Sequence, residues 1–375
     1  MPVVYIELAS GDHRRQSMNL SAVLCAVTAA ALFGLSTPVA KILVGAVDPW
    51  LLAGLFYLGS GLGLGVLRLG MARRREASEA PLARTDVPWL AGAILSGGVV
   101  GPVLLMLGLS LTEAATASLL LTVEGVATAV IAWFVFRENF DRRIAAGMLS
   151  IVAGTAVLSW SGDFTWSAVA GPAAVVGACI AWGVDNNLTR RVSLADPVQI
   201  AMLKGLVAGP VNLGLGLAAG AALPSPGTAM AAGAVGFFGY GVSLVLFVVA
   251  LRHLGTARTG AYFSTAPFLG AASAIPLLGE APTGRLFAAG ALMAIGVWLH
   301  LTERHGHEHE HEAAEHTHRH VHDEHHRHTH GPGDLPGEPH SHPHVHVRLR
   351  HSHAHMPDSH HRHSHGPEDS ALKSG

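Results

Sequence analysis

The sequence predicts an all-α polytopic membrane protein: ten transmembrane helices in two inverted five-helix repeats, followed by a disordered His-rich cytoplasmic tail. Three observations predict it. Apolar stretches of roughly membrane-spanning length recur with short breaks. Basic residues collect in every second break. The first half of the apolar region resembles the second. Composition agrees: 50% of residues are hydrophobic and only 13% charged, against about 25% charged in an ordinary soluble domain. A soluble all-α core is excluded because helices of this length would have no polar face.

Taken in order, residues 1–19 form a short N-terminal segment and 20–160 the first repeat, with spans at 20–45, 50–70, 87–109, 114–136 and 143–160. Residues 167–301 form the second repeat, with spans at 167–188, 198–222, 229–251, 259–278 and 284–301, and 302–375 form the tail. "HRRQSMNLSAVLCAVTAAALFG" could pass for a signal peptide, but its apolar stretch continues through Val44 and is long enough to span. Met18 is an alternative start.

The breaks set the orientation. Arg14 and Arg15, Arg68, Arg73, Arg74, Arg75 and Arg84, Arg137, Arg142 and Arg143, Arg190 and Arg191, and Arg252 and Arg258 all fall on one side, against Arg285 on the other. The positive-inside rule puts that side, both termini and the tail in the cytoplasm of a multi-pass cytoplasmic (inner) membrane protein.

The repeat is legible in "LFGLSTPVAKILVGAVDPWLLAG" (32–54) and "IAWGVDNNLTRRVSLADPVQIAM" (180–202). Gly34 pairs with Gly183, Lys41 with Arg190, and Asp48-Pro49 with Asp196-Pro197. Leu109, Ala115 and Glu138 pair with Leu251, Ala257 and Glu280 at a constant offset of 142 residues. Five helices per half make the second enter the membrane upside down, a plan that transporters use with a site near the midplane.

On these residues the chain resembles the EamA-type branch of the drug/metabolite transporter superfamily over about 20–301. "AALFGLSTPVAKILV" is similar to the family's first helix, and "EAATASLLLTVEGVATAVIAWFVFRENF" to its fourth. The second copy, "GTARTGAYFSTAPFLGAASAIPLLGEAPTG", keeps the family's Gly-Glu pair as Gly279-Glu280 and its proline as Pro267. The first copy departs, with Arg137 before Glu138 and Gly125 after Glu124. The resemblance implies ten helices, a central cavity and export of small organic metabolites such as amino acids.

Glu124 is the main candidate residue. A carboxylate halfway along a spanning helix is costly and by default functional, and an acid that exchanges a proton there suits coupling to proton flow; a structural hydrogen bond is the alternative. Trp182 and Tyr240 are candidates for the cavity wall, or plain packing residues. Asp185 is read as a helix cap, a partner of Arg190 or part of the cavity mouth. Pro38 and Pro267 are expected to bend their helices beside the cavity. Lys41 and Lys204 are expected to reach the interface by snorkelling. The two cysteines, Cys25 and Cys179, read as small core residues rather than a disulfide framework. No nucleophile–base pair or phosphate loop is present, so the chain does not read as an enzyme, and no cofactor is required. A net charge of −2 gives no case for nucleic acid. The partners are lipid, a small-molecule substrate and metal ions, with a homodimer left open.

The tail holds 23 of the 26 histidines. His305 to His330 carry 12 and His340 to His365 carry 11, separated by "GPGDLPGEP". The candidate metal ligands are His307, His309, His311, His316, His318, His320, His322, His325, His326, His328, His330, His342, His344, His346, His351, His353, His355, His361, His363 and His365. Spacing of the His-x-His type puts neighbours on one face of an extended chain, and imidazole suits Zn, Ni, Co and Cu. Without an apolar pattern the tail is expected to lack structure in the absence of metal. A solvating tail or a pH sensor is the alternative. The predicted helices have no two His, Cys or carboxylate residues at i, i+4, which argues against a dedicated metal path. The leading expectation is therefore a metabolite exporter with a metal-binding regulatory tail. A divalent-metal exporter and a membrane-anchored metal-storage protein are the alternatives.

Overall fold

A computed structural model describes residues 20–73, 82–136, 142–160, 166–192, 195–247, 249–250, 259, 262–302, 305–311, 314–320, 340–346 and 349–355. Residues 1–19, Arg137 and Glu138 lie outside the described residues, as do His322, His325, His326, His328, His330, His361, His363 and His365.

Seven described helices are long and apolar enough to cross a membrane. They are α1 (Leu20–Val44), α2 (Pro49–Arg73), α3 (Arg84–Leu111), α4 (Ala114–Val135), α6 (Trp166–Val192), α7 (Pro197–Ala218) and α8 (Pro226–Phe247). Three apolar helices are shorter: α5 (Arg143–Ser159), α9 (Ala266–Leu278) and α10 (Gly284–Leu299). Their outer surface is apolar, with Leu62, Val66, Phe134, Leu149 and Phe287 all exposed. A contiguous apolar exterior suits lipid rather than water. The protein is a multi-pass, all-helical membrane protein with an appended tail.

The Asp-Pro pairs begin helices in both halves. Asp48 accepts the N–H of Trp50 at 2.9 Å, ahead of Pro49 at the start of α2. Asp196 accepts from Val198 at 2.9 Å and Gln199 at 3.3 Å, ahead of Pro197 at the start of α7. Aspartate satisfies the orphan donors of the first turn, and proline has no N–H to lose there.

Two helices are interrupted at matching places. The helix expected over 114–136 is two pieces, α4a (Ala114–Leu120) and α4b (Val123–Phe136), divided by a turn at Leu121–Thr122. The helix expected over 259–278 has a turn at Ser264–Thr265, after which α9 starts at Ala266. Pro267 therefore does not bend a continuous helix as expected. It sits in the opening turn of α9, where its missing N–H costs nothing. Pro38 lies inside α1 as expected. Two others carry π-helical turns, Ile94–Val100 within α3 and Phe237–Val242 within α8. Both the turns and the π segments recur at a separation close to the 142 residues read from the sequence.

The packing is reciprocal. α1 lies along α9 and α6 along α4b; α2 lies along α7 and α5 along α10. At Gly34 a Cβ would strike the backbone of Ala266, the first residue of α9. At Gly183 a Cβ would come within 3.0 Å of Ala127 and Thr128 in α4b. Each paired glycine thus admits the interrupted helix of the other half.

The tail differs from expectation. Its described residues form four strands, β1 (His305–His311), β2 (Ala314–His320), β3 (His340–His346) and β4 (Leu349–His355). β1 pairs antiparallel with β4, and β2 with β3. The physical reason is the two-residue period of His-x-His, which is also the period of a strand.

Candidate functional site

The site starts from a defect in α3. Pro102 has no N–H to give to the carbonyl of Gly98, four residues before it, or, in the π-helical register, to that of Gly97, five residues before it. Side chains from three other helices supply the bonds. Tyr57 of α2 donates its hydroxyl to the Gly97 carbonyl at 2.6 Å, and Trp182 of α6 donates its indole N–H to the same oxygen at 3.0 Å. Asn212 of α7, fully buried, donates to the Gly98 carbonyl at 3.0 Å. Its own Oδ1 has no partner among the described residues.

Trp182, Asp185, Asn186 and Thr189 form one stripe of α6, since residues three and four apart share a helix face. Asp185 is buried and sits against Gly97, where any Cβ would overlap its carboxylate. Lys204 of α7, expected to snorkel, is instead buried and donates to Asp185 Oδ1 at 2.5 Å and to Thr189 Oγ1 at 2.9 Å. Both side chains of this ion pair are only 10% exposed. Lys204 is a partner that none of the three readings of Asp185 (helix cap, pair with Arg190, cavity mouth) had named, and Thr189 also donates to its carboxylate at 2.7 Å.

Glu124 lies next to this stripe. It is half-buried in the first turn of α4b, directly after the interruption, rather than midway along a continuous helix. Asn186 donates to Glu124 Oε1 at 2.9 Å and to Thr128 Oγ1 at 3.2 Å. Asn187 ties the same two helices, donating to the carbonyls of Thr128 at 3.1 Å and Gly183 at 2.8 Å. A helix N-terminus favours a carboxylate, because free N–H groups and the helix dipole both point at it. Gly125 is exposed, with open space where a Cβ would go.

Tyr240 belongs to the π segment of α8 and packs against Tyr57, Phe56 and Phe33, with ring centroids 5.7, 5.6 and 5.8 Å away. It reaches the polar site through Tyr57. Trp182, Asp185, Glu124 and, one ring removed, Tyr240 therefore converge; Pro38 and Pro267 have no described contact with the polar cluster. An apolar groove of about 300 Å³ opens between α1 and α8, lined by residues such as Leu35 and Phe238, and does not include the polar cluster.

Two further contacts fix the α3–α4 connection. Lys41 donates to the carbonyls of Leu109 and Thr112, the latter at 2.8 Å, closing the C-terminus of α3. Glu280 accepts the N–H groups of Ala114 at 2.6 Å and Ala115 at 2.8 Å, capping α4a from 165 residues away. Gly279 ends α9 with φ of 68°, a left-handed conformation that glycine adopts without strain, and so delivers Glu280 to that cap.

Sequence reasoning missed Tyr57, Asn212 and the Gly97 carbonyl. A signal was present: Gly97-Gly98, then Gly101-Pro102, in an apolar span marks an interrupted helix whose carbonyls need outside donors.

Comparison with known proteins places these features. Residues 20–160 and again 169–302 match the model of the EamA-like transporter family. An uncharacterized transporter of Methanothermobacter thermautotrophicus is 30% identical over 288 residues, covering 73% of this chain and 84% of its own length. One solved crystal structure is similar in fold at a TM-score of 0.56 and 23% identity, over 75% of this chain and 95% of that one.

Proposed function

The chain belongs to the EamA-like transporter family, and on that premise we propose that it exports a small organic metabolite, amino-acid-like or drug-like, across the cytoplasmic membrane by alternating access. In this reading the ten apolar helices cross the membrane as two inverted five-helix repeats. Support comes from the double family match, the recurrence of the helix interruptions and π segments, and the reciprocal seating of Gly34 and Gly183. Interrupted helices near a midplane are where transporters bind substrate and coupling ions.

One observation carries the reading: Glu124 stands at the head of a half-helix, half-buried, and among the described residues its carboxylate is bonded to a neutral amide rather than to a cation. A carboxylate so placed can take up and release a proton without a competing ion pair to break, which is what coupling to the proton gradient requires. Asp185, by contrast, is committed to Lys204. Trp182, Tyr57 and Tyr240 would line the substrate path. The distribution of arginines supports cytoplasmic termini, and the tail would bind Zn, Ni, Co or Cu and adjust transport.

A second reading, divalent-metal export, is favoured by the 23 histidines of the tail. Elemental analysis of metal-challenged cells separates the readings, using the full chain, a chain ending at Thr302, and Glu124→Gln. Metabolite export predicts the same cellular Zn, Ni, Co and Cu with the full chain and with Glu124→Gln. A fall in one metal that needs both the tail and Glu124 would replace it with metal export. A rise that needs the tail alone would identify storage.

A further inference from the structure

The strand register of the tail relates its two His clusters. β1 and β4 place His305 opposite His355, His307 opposite His353 and His309 opposite His351. β2 and β3 place His316 opposite His344, His318 opposite His342 and His320 opposite His340. The alternate positions pair Gly306 with Ala354, Glu308 with Ser352 and Glu310 with Arg350 in one sheet. In the other they pair Glu315 with Val345, Thr317 with Pro343 and Arg319 with Ser341. Because residues two apart share a face, the register puts the paired His positions of each sheet on one face and no His pair on the other. The ladder stops at its ends, where His311 meets Leu349 and Ala314 meets His346.

We infer that divalent transition ions bind between the two His clusters, at these cross-strand levels, rather than along either cluster alone. The inference rests on the tail's metal binding proposed above and assigns it a geometry. Directly opposed positions of an antiparallel pair have Cβ atoms about 4.5–5.5 Å apart. The next level on the same face lies about 6.8 Å along the strand. Two adjacent levels thus bring four His positions around one point, the number that a four-coordinate Zn²⁺ site takes. Neighbours at i and i+2 on one strand supply only one edge of that square. Ions held this way join residues 305–320 to residues 340–355, so loading with metal ties the first cluster to the second.

The test counts ions. Full-length protein in detergent is loaded with Zn²⁺ alone, passed through gel filtration and analysed for bound zinc per chain. The unaltered chain and a chain ending at Thr302 are compared with three variants: His305→Asn with His307→Asn and His309→Asn; His351→Asn with His353→Asn and His355→Asn; and all six together. Shared sites predict that either triple variant loses the same number of ions and that the sixfold variant loses no more. If the sixfold loss is the sum of the two triple losses, each cluster binds by itself and the inference is overturned while tail metal binding stands. If the unaltered chain and the chain ending at Thr302 retain equal zinc, tail binding itself is overturned. The substitutions lie beyond the last helix, and the gel-filtration profile confirms that each variant is intact.

Discussion

Asp185 and Lys204 form an ion pair that the lipid-embedded part of the protein retains against a large desolvation cost. Replacing a buried pair by apolar residues is often neutral, whereas removing one partner strands the other and costs roughly 3–5 kcal/mol. Lys204→Met is therefore expected to lower the apparent melting temperature in detergent sharply, and Asp185→Leu with Lys204→Met to recover most of it. If the double variant is as unstable as the single one, the pair does more than balance charge. Glu124 is different in kind. Among the described residues its carboxylate accepts one hydrogen bond, from Asn186, which glutamine can also accept. Glu124→Gln is expected to melt within a few degrees of the unaltered protein, as seen by thermal unfolding in detergent, so that any loss of transport is assigned to the proton rather than to the fold. Glu124 and Asp185 were legible in the sequence because a carboxylate in an apolar run stands out. Their different partners were not, because these depend on which of the two Lys204 reaches across from α7.

At the scale of elements, α3, α4, α8 and α9 are the irregular helices, and glycine positions decide how closely neighbours approach them. Gly97 lies under the Asp185 carboxylate, while Gly125 faces open space. Gly97→Ala is expected to displace α6, weakening both the Tyr57 and Trp182 bonds to the π-helical carbonyl. Gly125→Ala, one residue from Glu124, meets no steric obstacle. Purified yield and melting temperature should fall for the first and hold for the second; equal behaviour would contradict the close seating of α6 on α3. Seven of the spans were legible in the sequence, since each is a long apolar run with a charge or turn signal at its end; at the other three the described residues form shorter apolar helices. The interruption of α4 was not, because Leu121 and Thr122 carry no breaker residue. Its counterpart in α9 was marked by Pro267, but as a bend rather than as the start of a helix. The Gly279-Glu280 pair was visible as a motif. Its use as a cap for α4a could not be read, because the capped donors are 165 residues away.

At the scale of the whole molecule, the chain joins an apolar body with polar groups at its interrupted helices to a tail with two His-rich sheets. The tail's histidines were legible and their pairing was not, since register depends on contacts between residues 20 to 50 positions apart. Metal binding by imidazole requires the neutral ring, whose ordinary pKa is about 6.5. Protons therefore compete with metal, and affinity falls as pH drops through that value and is full above it. Titration of the full chain with Zn²⁺ at pH 7.5 and 5.5 is expected to show a large loss of bound zinc at the lower pH. Retention at pH 5.5 would point to carboxylate ligands such as Glu308 and Glu310.

The central claim is that the body is an exporter of an organic solute that works through Glu124. The most direct measurement compares the solutes in the medium of cells carrying no transporter, the unaltered chain, or Glu124→Gln at matched membrane abundance. The account predicts that at least one small organic solute accumulates outside with the unaltered chain and falls to the no-transporter level with Glu124→Gln. Identical solute profiles in all three would contradict it, as would accumulation that Glu124→Gln leaves intact.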